Sequence, residues 1–183
     1  MTRVATPGQT VGPFFGFALP FPDGDKLVPQ SHPAAIRLHG TVRDGEGNPV
    51  PDALLEIWQL DADGNVAQEP GSLHRDGYTF TGFGRVATDD TGRYSFTTVA
   101  PGSAGGAAPF IAMTVFARGL LDRLFTRVYL PADDAVLAAD RLLASLPADR
   151  RGTLVAATDA HGLVFDVVLQ GEGETVFLAF AGH

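Results

Sequence analysis

Apolar and polar residues alternate in short runs along most of this chain, and Gly, Pro, Asp and Asn punctuate the runs. In "IRLHGTV" (36–42) the apolar residues Ile36, Leu38 and Val42 fall on one side and Arg37, His39 and Thr41 on the other. That period of two predicts a half-buried strand, and "RDGEGNPVP" after it supplies a turn. The same reading gives strands over 53–60, 84–89, 93–99, 110–117, 124–130, 162–170 and 174–180. Short strands at such close spacing predict an antiparallel sandwich. One stretch breaks the period. "DDAVLAADRLLASL" (133–146) sets Val136, Leu137, Leu142 and Leu143 mostly at helical spacing, and Asp133 and Asp134 suit a helix N-terminus. One or two helical turns are expected there. Residues 1–35 carry Pro and Gly without periodicity and read as an irregular arm. The expected fold class is therefore mainly β, with an antiparallel β-sandwich core, an irregular N-terminal arm and one or two short helices, all in one domain over 1–183.

The arm contains four phenylalanines, Phe14, Phe15, Phe17 and Phe21. Large rings on irregular backbone are costly in water, so they should pack on the body or on another subunit. The chain has 183 residues, 45% of them hydrophobic, which suffices for one sizeable core. Its net charge is −8, with 13 Lys and Arg dispersed along the sequence. Nucleic acid and anionic membrane are therefore unfavourable partners. The absence of cysteine removes thiolate sites and disulfides and fits a reducing compartment. With no signal-like leader and no apolar run near about 18 residues, a cytoplasmic location is expected.

Candidate chemistry begins at "EIWQLDADGN" (56–65), where a strand bearing the only tryptophan, Trp58, runs into Asp61, Asp63 and Asn65. A helix–loop–helix calcium loop needs a Glu at its twelfth position, and that position here is Ser72. A turn needs only Asp and Gly, and is the expected structure. Of the five histidines, no two stand at strand or helix pairing distance. His39 lies in a strand, where a hydrogen-bonded structural imidazole is expected. No G-x-S-x-G is present, and "GEGE" (171–174) reads as a turn between strands rather than a phosphate cradle. No self-contained catalytic constellation emerges.

Longer motifs carry more. "LHGTVRDGEGNPVPDALLEIWQLDADGN" (38–65), "GFGRVATDDTGRYSFTTVAPG" (82–102) and "FARGLLDRLFTRVYL" (116–130) together resemble the intradiol ring-cleavage dioxygenases. Within that family they are most similar to the alpha subunits of its protocatechuate-cleaving members, as are "TPGQTVGPFF" (6–15) and "GEGETVFLAF" (171–180). The resemblance runs from about Thr6 to Phe180 and weakens near 20–35, 67–80 and 131–160. It implies a β-sandwich and a hetero-oligomer with a homologous beta subunit. The implied reaction inserts O₂ between the two hydroxyl-bearing carbons of protocatechuate, giving 3-carboxy-cis,cis-muconate. The implied cofactor is a non-haem Fe(III) held by two Tyr and two His of the beta subunit.

In this chain the implied ligand positions are altered. Phe110 and Ala112, in "FIAM", stand where the resemblance places an H-x-H. "SAGGAA" (103–108) has no Tyr where one ligand is implied, and Tyr78 is out of register for the other. The resemblance thus implies no metal ligand here and a role at the subunit interface. It places Thr10, Gly12 and Pro13 on an arm lining the partner's substrate cleft, or simply routing the arm. It also places Arg118 as a cation facing that cleft, or as a surface salt bridge. A stand-alone β-sandwich module binding a small aromatic or sugar, and a purely structural assembly protein, are the rival expectations.

Overall fold

The computed structural model describes residue 12 and residues 14–69 and 73–180. Strands β1 (Ala35–Arg43), β2 (Leu54–Trp58), β3 (Phe83–Ala87), β4 (Arg93–Val99), β5 (Phe110–Phe116), β6 (Leu124–Tyr129), β7 (Ala157–Asp159), β8 (Gly162–Val164) and β9 (Val167–Val168) form two sheets. One has the order β4-β1-β8-β7, with β9 also on β1; the other has the order β3-β2-β5-β6. Leu38, Val42 and Phe96 of the first sheet meet Leu55, Ile57, Ile111, Met113 and Val128 of the second in the main core. The expected sandwich is present. All pairings are antiparallel except those of β1 with β8 and with β9, which are parallel.

Alternation located six strands within two or three residues. The run 162–170 departs from expectation because Gly40 of β1 lets it cross at close range. A Cβ at Gly40 would lie 1.9 Å from the Phe165 carbonyl oxygen. That oxygen accepts from the buried Tyr94 hydroxyl at 2.5 Å, and the Asp166 carboxylate accepts from the Thr41 amide at 2.7 Å. Side chains thus satisfy the Thr41 amide and the Phe165 carbonyl, the two ends of one ladder bond, and the run divides into β8 and β9 without changing register. Residues 174–180 form no strand but lie along β6 through one β-bridge, Phe125 with Leu178, a hydrogen bond from the Thr126 hydroxyl to the Val176 carbonyl and an edge contact of Phe180 on Phe125. Strand β7, exposed and polar, had no apolar alternation to announce it.

The helical stretch is divided. Helices α2 (Asp134–Ala139) and α3 (Arg141–Ser145) are separated by Asp140, whose backbone is extended at φ −70° and ψ 129°. A third turn, α4 (Ala148–Arg151), follows, and a short helix within the arm, Phe15–Ala18, adds a regular turn where none was expected. This arm helix, α1, buries Phe15, while Phe14 just before it is 78% and Phe17 87% exposed. Among the described residues no helix is long and apolar enough to cross a membrane.

Candidate functional site

The outer face of the β3-β2-β5-β6 sheet carries the residues of interest. Register sets Phe83, Trp58, Ala112 and Arg127 in one row across the four strands, and Arg85, Glu56, Thr114 and Phe125 in the next. Most of this face is not bare. Phe15 packs on Phe116 with ring centroids 6.3 Å apart, and Phe21 stacks on Phe83 at 6.3 Å. Arg85 donates to Glu56 Oε1 through Nε at 2.8 Å and to the Leu19 carbonyl at 2.6 Å, so one guanidinium joins two strands to the arm. Arg75 lies over the Phe21 ring and donates to the Phe83 carbonyl at 2.6 Å. Of the four arm phenylalanines, Phe15 and Phe21 are therefore packed on the body, while Phe14 and Phe17 remain open.

At the start of β5, Phe110 takes the position at which a histidine is implied. Arg127 sits over its ring at 4.1 Å from the centroid, and Tyr129 packs beside it at 5.6 Å. The Arg127 guanidinium also donates to the Tyr129 hydroxyl at 3.1 Å, and that hydroxyl donates to Asp140 Oδ1 at 2.9 Å. Asp140 further accepts from the amides of Leu142, Leu143 and Ala108. This buried cluster fixes the helices and the 103–108 loop to the sheet. Nothing in the spacing announced the Arg127–Tyr129–Asp140 chain, although Asp140 before "RLLAS" is an N-cap signal.

Asp61 forms a turn, not a metal loop. Its Oδ1 accepts from the amides of Asp63 and Asn65 at 2.9 and 2.8 Å, and Gly64 closes the turn at φ +84°. The loop then docks on residues 102–103, where the Gly102 amide donates to the Asp61 carbonyl at 2.7 Å. A Cβ at Gly102 would meet the Gly64 nitrogen at 2.4 Å. Asp44 and Asp89 build the same turn with Gly47 and Gly92.

His39 Nε2 lies 3.2 Å from Asp159 Oδ1, the structural hydrogen bond expected of it. The fold also brings the His161 ring within 6.4 Å of the His39 ring, an approach invisible in the sequence. Arg118 follows β5 at the end opposite Phe110 and pairs with Asp52 at 2.9 Å; its side chain is 58% exposed. Gly12 is exposed, and a Cβ there would meet nothing within 4 Å. Thr10 and Pro13 lie outside the described residues.

The family model described as Dioxygenase matches residues 12–171. The chain is 42% identical to the protocatechuate 3,4-dioxygenase alpha chain of Burkholderia cepacia, over 96% of this chain and 98% of that one. The chain belongs to the intradiol dioxygenase family. It is also 34% identical to the Burkholderia cepacia beta chain, over 76% of this chain and 66% of that one. A solved dioxygenase domain from Streptomyces sp. SirexAA-E superposes with a TM-score of 0.60 at 25% identity, covering 91% of this chain and 98% of its own.

This iron-dependent family makes the donor set a direct test, and the residues of this chain do not fit a ferric ion. Phe110 and Ala112 have no lone pair to offer. Phenolate ligands would have to come from tyrosines, and the fold commits both buried ones to partners within the chain. Burial pushes the Tyr129 phenol up to about 12, and burial followed by the Asp166 carboxylate raises Tyr94 further above its ordinary value. Both hydroxyls already donate within the chain. Tyr78, 92% exposed, stands apart from β5 in the 73–81 loop. No three His, Cys, Asp or Glu side chains gather to hold a metal among the described residues.

Proposed function

We propose that this chain is the alpha subunit of a cytoplasmic protocatechuate 3,4-dioxygenase, folded as one domain and assembled with a homologous iron-bearing beta subunit. The complex converts protocatechuate and O₂ to 3-carboxy-cis,cis-muconate: the bond between the hydroxyl-bearing carbons breaks and both oxygen atoms enter the product. The observation that carries this reading is the pairing of close similarity to an alpha chain with a β5 whose donor positions hold Phe110 and Ala112. The Fe(III) belongs to the beta subunit, which supplies all its protein ligands. This chain completes the substrate cleft through its arm, at Thr10, Gly12 and Pro13. Arg118 contributes a cation to that cleft; it follows Phe116, on which the arm residue Phe15 packs. A protocatechuate carboxylate favours such a cation within an assembly whose alpha chain carries a net charge of −8.

Coexpression with the beta chain tests this. The purified complex is expected to carry iron in proportion to the beta chain and to consume O₂ with protocatechuate, while this chain alone carries none and is colourless. Arg118→Ala in the iron-loaded complex should lower kcat/KM by about ten- to a hundredfold, the effect of losing one charge-assisted hydrogen bond of roughly 1.5–3 kcal/mol. A ferric–phenolate absorption band in this chain alone would sink the reading. An unchanged kcat/KM in Arg118→Ala would reduce Arg118 to its Asp52 ion pair.

A further inference from the structure

A second feature of the β5 end has its own chemistry. A pocket of about 230 Å³ opens there, with Trp58 and Phe110 as its rings and Ala104, Ala107, Ala108 and Gly102 as its small residues. No charged side chain lines it. Gln59, its one polar side chain, is spent inside the chain: Nε2 donates to the Val99 carbonyl at 2.8 Å and Oε1 accepts from the Thr98 hydroxyl at 2.7 Å. We propose that this pocket binds a single-ring aromatic molecule by contact with Trp58 and Phe110, without a metal.

Size, shape and rigidity favour that occupant. A dry cavity of about 150 Å³ with apolar walls is enough for benzene, so this one holds one substituted ring and not two. Small residues leave a slot for a flat molecule, and aromatic rings prefer offset or edge contacts with other rings. The walls are preformed. Asp61 holds Gly102 through its carbonyl, Asp140 holds the Ala108 amide, and Arg127 and Tyr129 hold the Phe110 ring. Little ordering cost therefore remains for the ligand to meet. Trp58 is 41% exposed, which leaves the mouth wet and lets polar substituents of the ring stay in solvent.

Trp58 is the only tryptophan in the chain, so full-length protein labelled with 5-fluorotryptophan gives one fluorine resonance, from the pocket itself. Phenol is expected to shift that resonance saturably. Cyclohexanol, also neutral and of similar size but without a π-system, should bind at least several-fold more weakly. Ala104→Leu and, separately, Ala107→Leu fill the slot and should abolish the shift while the thermal unfolding curve stays in place. Absence of a saturable shift with phenol overturns the proposal. So does an undiminished shift in both folded variants, and equal affinity for cyclohexanol overturns the aromatic assignment. The measurement needs neither iron nor turnover, so its failure and the failure of the dioxygenase reading are separable.

Discussion

Asp140 shows how much one side chain can decide. It is 2% exposed, caps α3 through two amides, receives the buried Tyr129 hydroxyl and pins the Ala108 amide. Asp140→Ala removes a helix cap and leaves a buried hydroxyl without its acceptor. The two losses together should cost about 2–4 kcal/mol in denaturant unfolding. Asp140→Asn keeps an oxygen for the cap and the hydroxyl, and should lose less than half as much. Equal losses in the two variants would place the effect in the charge rather than in the oxygen geometry. The same residue explains why the helical pattern of 133–146 is cut. An N-cap takes extended backbone, so a cap in the middle of the run ends one helix as it begins the next.

At the scale of elements, the strands are joined by a repeated device. Asp44, Asp61 and Asp89 each accept amide hydrogens two and four residues ahead, while a left-handed glycine turns the chain. These bonds favour the ionised form and lower all three carboxyl pKa values. The leading cause is the Asn48 amide at Asp44, the Asn65 amide at Asp61 and the Thr91 hydroxyl at Asp89. Asp76, bonded first by the Thr79 hydroxyl, is lowered to about 2. Each folded value lies below the unfolded one, so between the two the unfolded chain binds more protons. The associated stability is complete above about pH 4, the unfolded carboxyl value, and is lost as pH falls below it, for Asp76 through about 2. Thermal melts should therefore show Tm falling over that window. The triple variant Asp44→Asn, Asp61→Asn, Asp89→Asn should fall less steeply, because amides cap these turns without titrating. Parallel Tm–pH curves for the two proteins would show that the turns do not carry the acid lability.

For the whole molecule, the two faces of the sandwich have different fates. The inner faces make one core, whereas the arm covers the outer face of the β3-β2-β5-β6 sheet at Phe83 and Phe116 and leaves Phe14 and Phe17 open at α1. Two such exposed rings within four residues are expensive to leave in water and suit a subunit contact. Phe14→Ser with Phe17→Ser should leave the monomer fold intact, since neither ring is packed. It should weaken association with the beta subunit by at least tenfold, given about 1.5–3 kcal/mol for each ring buried. Sedimentation or calorimetric titration of the two chains reads this directly. An unchanged dissociation constant would put the interface elsewhere on the chain.

The alternation of apolar residues and the Asp–Gly turns are local properties, so the amino-acid order alone determined the sandwich class, six of its strands and the turn at Asp61. It also determined the chemistry that β5 cannot perform, because a phenyl ring and a methyl group lack donor atoms in any fold. Register and side-chain meeting are non-local, and only the tertiary structure decided them. The polar edge strand β7 has no periodic signal, and it is held in place by pairing with β8. The run 162–170 looked uninterrupted until Gly40, more than a hundred residues earlier, met Phe165. Arg85 with Glu56, Arg127 with Phe110, and His39 with His161 are neighbours through strand pairing and sheet closure, which no spacing along the chain encodes. The pocket at Trp58 exists because two distant segments, 58–60 and 102–110, converge, and convergence of that kind is set by packing rather than by any one stretch of sequence.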